Sequence, residues 1–329
     1  MAVTSDNRIG LGMVGGLPVR EAVGYTQAAE AAGFSGFWVH ETYGLRDAHS
    51  YLAAAGLVTS RIHLGAGCMN TYTRNVALLA MTCATLQELT GGRFRLGLGS
   101  AAGRLHDLGY EARYTSSSYR ETVLACRQLL CGEAVTVDGR VVRLNNMKLQ
   151  VPVCNVPIYF ATQGPKGLAL AAELADGELD GPMVPVATLS RHIETLRAHH
   201  PQPGFDVASY IFCSIDDDAR AARDAARHDR FLLYLLHMNL QYAGLDPEQR
   251  SRIAAAVQQG DIDAAAALVS DEVLNDLILC GDRHDVLDGL APYVATGLNE
   301  PILQPLQPSP KAMEQAIAAG KAYLQASLV

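Results

Sequence analysis

His40-Glu41-Thr42-Tyr43 is the first stretch whose side chains can move a proton, because an imidazole and a carboxyl leave an apolar run together. Either group fits a general acid or base, and a helix cap with a solvated neighbour would use the same residue types. A second stretch, Gly65-Ala66-Gly67-Cys68-Met69-Asn70, has small residues that let main chain approach a flat ring, with the Asn70 amide available to the ring's polar edge. Cys68 reads as a small packing residue there, since the sequence offers its thiol no neighbouring base. A third stretch, Gly97-Leu98-Gly99-Ser100, ends an apolar run without bulk, a pattern that serves structure as readily as ligand approach. The fourth, Thr162-Gln163-Gly164-Pro165-Lys166-Gly167, passes through a Gly-Pro turn into a helix amino terminus. Free N–H groups, the helix dipole, the Thr162 hydroxyl, the Gln163 amide and the Lys166 charge together suit a phosphate; an ordinary capped turn is the structural alternative.

These stretches follow short apolar runs that alternate with Ala-rich segments of helical period, the pattern of βα units around a parallel sheet. Strands are expected at Ile9 to Val14, Phe37 to Glu41, Ile62 to Cys68, Phe94 to Gly99, Ile158 to Thr162, Gly181 to Val184, Val207 to Ser214 and Ile302 to Leu306. Helices are expected at Val19 to Ala32, Ala48 to Ser60, Asn75 to Leu89, Tyr119 to Leu130, Lys166 to Ala175, Thr188 to His199 and Pro310 to Ala326. Val135 to Val137 and Val141 to Leu144 flank Asp138-Gly139, which predicts a small inserted hairpin. Asp217 to about Leu277 is helical in pattern and too long for one crossover, so it reads as a helical insertion before the last strand. The fold expected is a (β/α)₈ TIM barrel, one domain over residues 1–329. In such a barrel the loops at the carboxyl ends of the strands carry the active site, and all four stretches lie there. A doubly wound open sheet fits less well: the glycines near the first strand lack dinucleotide spacing, and no acid follows the second strand in that context.

Composition narrows the partners. Hydrophobic residues make up 49% and charged residues 18% of 329, enough apolar surface for a compact core. A net charge of −8 with scattered basic residues argues against nucleic acid. No apolar stretch approaches the ~20 residues of a membrane span, and Met1 to Arg8 lacks a secretory signal, so a cytoplasmic enzyme is expected. The seven cysteines are widely spaced without a C-x-x-C pair, and His199-His200 is an adjacent pair whose side chains diverge; neither disulfides nor a metal site is expected.

The segments Gly65 to Asn75, Leu86 to Arg93, Gly97 to Ser100, Ala161 to Lys166 and Ala175-Asp176-Gly177 resemble the bacterial luciferase-like superfamily over nearly the whole chain. Within it they are most similar to the methylenetetrahydromethanopterin reductases and their relatives that use coenzyme F420. The resemblance implies a deazaflavin across the strand ends, its phosphate near Gln163 to Lys166 and its ring backed by a bulge at Gly67, Cys68 and Met69. It further implies a non-proline cis peptide between Gly67 and Cys68, and a cofactor site that includes Asn70, Gly99, Ser100, Thr162, Gly164 and Pro165. Where relatives often show Asp-His after the second strand, this chain has Glu41-Thr42 preceded by His40. The implied proton donor is therefore Glu41 or His40. Ser100 stands where sugar-phosphate-oxidising relatives carry a carboxylate, which disfavours that substrate class. The implied activity is hydride transfer from reduced F420 to a C=C or C=N bond of a small-molecule or peptide substrate. Independently of the resemblance, the Ala-rich helices could pair subunits, and a homodimer is expected, although an apolar helix face more often serves the core. A monooxygenase using reduced FMN is the alternative within the superfamily, and a barrel that binds cofactor without turnover is the alternative from another class.

Overall fold

The computed structural model describes residues 7–99, 105–111, 113, 115–200, 204–238 and 244–326. The chain opens with β1 (Gly10–Val14), α1 (Val19–Ala32), β2 (Gly36–His40), α2 (Ala48–Gly56), β3 (His63–Asn70), α3 (Val76–Leu89) and β4 (Phe94–Gly99). Then come α4 (Thr115–Leu130), a hairpin of β5 (Val135–Asp138) and β6 (Arg143–Met147), β7 (Ile158–Ala161), α5 (Pro165–Leu174), β8 (Gly177–Asp180), α6 (Val186–His199) and β9 (Asp206–Ile215). Five helices follow: α7 (Ala219–Arg227), α8 (Arg230–Met238), α9 (Pro247–Gln259), α10 (Ile262–Ala266) and α11 (Asp271–Leu277). The chain closes with β10 (Leu279–Gly281), α12 (Arg283–Ala295), β11 (Glu300–Pro305) and α13 (Pro310–Ala326).

Strands β1, β2, β3, β4, β7, β8, β9 and β11 pair in that order, all parallel, and β11 returns to β1. This is the expected (β/α)₈ barrel, with the β5–β6 hairpin and the α7–α11 excursion as its insertions. The short β10 was not anticipated; it pairs with the end of β9 through Leu279 and Cys213 outside the ring. Hairpin strand β6 also lies later than Val141 to Leu144, and α2 stops at Gly56 instead of Ser60.

The larger correction is the strand expected at Gly181 to Val184, which lies at Gly177–Asp180. Its sequence, Gly-Glu-Leu-Asp, hides it. Leu179 packs inside the barrel with Trp38, Tyr159, Ala208, Tyr210 and Ile302, so the alternating Glu178 and Asp180 point outward. Both acids are nonetheless fully buried, under the helical layer. Buried carboxyls survive there because hydrogen-bond donors from neighbouring elements meet them, a tertiary fact that no hydrophobic pattern announces.

At the amino-terminal end of the ring, Arg95 lies 3.3 Å from Glu300, while Asp206 accepts from Tyr159 at 2.7 Å and pairs with Arg8 at 2.8 Å. This polar plug closes the bottom, where conserving geometry stabilises the barrel and leaves chemistry to the other end. Among the described residues no helix is long and apolar enough to cross a membrane.

Candidate active site

Three strands put their ends side by side at the carboxyl rim. Asn70 of β3 is in register with Gly99 of β4, and Gly99 with Ala161 of β7. The second, third and fourth stretches therefore share one edge of the barrel, and β2, hydrogen-bonded to β3, delivers the first to its side.

The register of β3 against β4 slips between Ala66 and Met69, and the Gly67–Cys68 peptide is cis, as the resemblance implied. Tyr210 anchors this bulge by donating its hydroxyl to the Gly67 carbonyl at 2.7 Å; burial holds that phenol well above its usual range, so the proton stays available for donation. A Cβ on Gly67 would stand 2.5 Å from Leu179 and 2.6 Å from the Tyr210 hydroxyl, so the interior filling requires glycine. A Cβ on Gly99 would meet the Cys68 sulfur at 2.1 Å. The Cys68 side chain thus occupies the space a side chain on Gly99 would take, and the bulge and the β4 end pack as one low surface at the rim. Burial pushes the Cys68 thiol up to about 11, which leaves it protonated and unreactive at neutral pH. Met69 is fully buried in the core outside the ring, so only its main chain can face the mouth. Asn70 is also buried, and its Oδ1 accepts from the Tyr72 N–H at 2.6 Å, bracing the turn after β3.

His40 and Glu41 separate as the strand pleat requires. His40 faces the barrel interior, its ring centroid 4.1 Å from that of Tyr210, and its Nε2–H donates to Gln304 Oε1 at 2.7 Å. Burial lowers this imidazole to about 4, so at neutral pH it carries one proton, held by Gln304, and Nδ1 is a lone-pair acceptor. Glu41 sits on the rim, with Oε1 accepting from Arg74 Nη2 at 2.8 Å; the same guanidinium nitrogen is 2.8 Å from Asp47. Glu41 Oε2 is buried with no hydrogen-bond partner among the described residues. Glu41, Asp47 and His49 offer ligand atoms within 4.8 Å of one another, but Arg74 bridges both acids and supplies the cation there.

A cavity of about 1030 Å³ opens next to this rim. Thr162, Gln163, Gly164 and Lys166 line it, whereas Pro165 takes the first position of α5, where its missing N–H costs nothing. Gly164, the N-cap of α5, has no side chain to cap it, which leaves the first-turn N–H groups to a ligand or water. Gly181 to Val184, expected as a strand, line it too, as do Leu235, Gly244 and Asp276 from the helical insertion. Ser100 lies outside the described residues.

The sequence model for luciferase-like monooxygenases matches residues 1–300. The chain belongs to that family. It is 34% identical over 278 residues to the 5,10-methylenetetrahydromethanopterin reductase of Methanolobus tindarius, covering 82% of this chain and 85% of that protein. It is 30% identical over 324 residues to the enzyme of the same name from Archaeoglobus fulgidus, covering 94% and 97% respectively. In three dimensions it matches the coenzyme F420-dependent tetrahydromethanopterin reductase of Methanopyrus kandleri with a TM-score of 0.85, 23% identity, and coverage of 96% of this chain and 98% of that one. In this luciferase-like barrel the sequence reading missed Gln304 and Tyr210, which orient His40 and the bulge. Both sit within apolar strand runs whose inward side is known only once the ring is closed. Arg74 fell inside the segment that carried the resemblance, yet its bridge to Glu41 depends on two loops meeting in space.

Proposed function

We propose that this chain is an F420-dependent oxidoreductase that reduces a C=C or C=N bond of a small organic substrate. The observation that supports the reading is the in-register row Asn70, Gly99, Ala161, which brings the low-bulk ends of β4 and β7, the β3 bulge and an uncapped helix amino terminus to one rim. Both Methanolobus and Archaeoglobus relatives are reductases by name, and the Methanopyrus protein is named as F420-dependent. Bound reduced deazaflavin would supply a hydride as a two-electron donor. Gly67, Cys68 and Gly99 would back its ring, while Thr162, Gln163, Gly164 and Lys166 would hold its phosphate through N–H groups, hydroxyl, amide and ammonium.

Glu41 would hold or move the substrate's proton at Oε2, a role supported by Arg74 taking only Oε1. His40, neutral and pinned by Gln304, orients the mouth instead of donating a proton at neutral pH. The test is fluorescence titration of the purified protein with oxidised F420: saturable quenching at micromolar cofactor is expected, and its absence removes the reading. The family's monooxygenase description favours one second reading, FMNH₂-dependent oxygenation. Substrate-dependent oxygen uptake with FMNH₂, and none with reduced F420, would select it. A homodimer is the proposed assembly, supported by exposed Leu57, Leu78, Met81 and Leu89 on or beside α2 and α3, and light scattering measures it.

A further inference from the structure

Beneath the cavity, the two outward acids of β8 act as anchors for the residues above them. Glu178 Oε1 accepts from the Thr162 N–H at 2.9 Å and from its hydroxyl at 3.2 Å. Asp180 accepts from the Gly181 N–H at 2.9 Å, from Gln163 Nε2 at 3.3 Å and from His192 Nδ1 at 2.7 Å. One fully buried carboxylate thereby ties the β7–α5 loop to α6, and both residues it grips, Gln163 and His192, line the cavity.

The consequence falls on the free edge of His192. With Nδ1–H committed to Asp180, the ring orientation is fixed, and Nε2 has no partner among the described residues. The side chain is only 13% exposed, so this is no solvated surface histidine. Other charged groups near it are Lys166 from α5, its neighbour Arg191 and Asp276 from α11 on the cavity wall, with Glu178 buried beside Asp180 on β8. An anion entering at the start of α5 would otherwise lie above two buried carboxyls. The His192 ring stands between Asp180 and that position, so it keeps the carboxylate apart from the anion and presents Nε2 to it.

We propose that His192 is a direct contact for the phosphate ester of the cofactor, through Nε2, and that Asp180 is the positioning residue that fixes His192 and Gln163 together. This rests on the F420 reading for the identity of the ligand, while the phosphate chemistry stands on the cavity itself. Three probes separate the two: F420, the deazaflavin riboside that lacks the phosphate tail, and inorganic phosphate. H192Q should weaken F420 binding on the order of ten-fold to a hundred-fold, the worth of one charge-assisted hydrogen bond, with the tail-less riboside bound as in the wild type. D180N should shift binding in the same direction, again for F420 alone. In the wild-type protein, inorganic phosphate should move the ¹⁵N signals of the His192 imidazole.

Equal loss of both deazaflavins in H192Q would reveal a purely structural role and overturn the proposal, as would unchanged F420 affinity. If the wild type bound no F420 but phosphate moved the His192 signals, the anion site would stand and the F420 reading would fall. If phosphate left those signals unmoved and H192Q showed no selective loss, the proposal would fall whatever the cofactor.

Discussion

Gly99→Ala tests the ring surface most directly. The added Cβ would lie 2.1 Å from the Cys68 sulfur, 2.7 Å from its Cβ and 3.4 Å from the Ala161 Cβ. Ordinary carbon contacts lie near 3.5–4.0 Å, so the sulfur must retreat by about 1.5 Å. It cannot do so alone, because Gly67 before it is packed on Tyr210 and Leu179, and Met69 after it is buried in the core. Overpacking of this kind costs about 1–3 kcal/mol. With an unfolding entropy near 2.1 cal/mol/K per residue, a chain of this length loses about 1.5–4 °C in Tm. Because the displaced bulge is the proposed backing of the ring, affinity for F420 should fall on the order of ten-fold as well. The double variant C68G/G99A removes both close contacts and should recover most of the lost Tm and affinity. Differential scanning fluorimetry and F420 quenching read the two effects. A Gly99→Ala protein with wild-type Tm and affinity, or a double variant no better than the single one, would refute the packing argument.

Glu41→Gln should lower turnover about a hundred-fold or more while F420 affinity stays within a few-fold, since the proposed proton is lost but the cradle is not; steady-state kinetics with unchanged turnover would reassign the proton to solvent. His40→Gln addresses pH. Burial lowers the folded-state imidazole from 6.5 to about 4, so as pH falls the unfolded chain takes up the proton first. The associated stability is present above pH 6.5 and is lost as pH falls toward 4, up to about 3 kcal/mol. His63, also lowered to about 4, contributes in the same window and remains in the variant. His40→Gln should therefore flatten part of the Tm–pH curve between those values, and an identical slope would contradict the assignment. Glu178 shifts the other way: burial, then the neighbouring Asp180, raise its carboxyl well above 4.5. A raised acid loses stability as pH climbs above the unfolded value, so Glu178→Gln should gain in urea midpoint relative to wild type between pH 5 and pH 8. A constant difference across that range would show Glu178 to be ionised in the folded state.

The barrel was legible in the sequence wherever an element's own residues settle its state. The strands around Leu64, Leu96 and Phe160 are apolar on the outward face, α1 closes at Gly33 in the left-handed conformation, and α13 spans the predicted Pro310–Ala326. The glycine and polar residues at the strand ends were readable for the same reason, since a turn without bulk and a Gly-Pro helix entry are local facts. Strand β8 was not legible, because its signal is inverted: acids occupy the buried outer face, and donors from Thr162 and Gln163 of the β7–α5 loop and from His192 of α6 make that burial tolerable.

The candidate site divides along the same line. Residue types and their order along the chain determined which stretches could serve as a ring surface, a phosphate loop and a proton-carrying pair, and that barrel loops should carry them. Tertiary structure alone decided how each is used. Closure of the ring set His40 against Gln304 and Tyr210, left Glu41 with one oxygen free beside Arg74, and turned His192 toward the cavity from Asp180. The physical reason is that burial and hydrogen-bond partners, which fix protonation and orientation, come from residues distant in the chain, and sequence spacing carries no record of them.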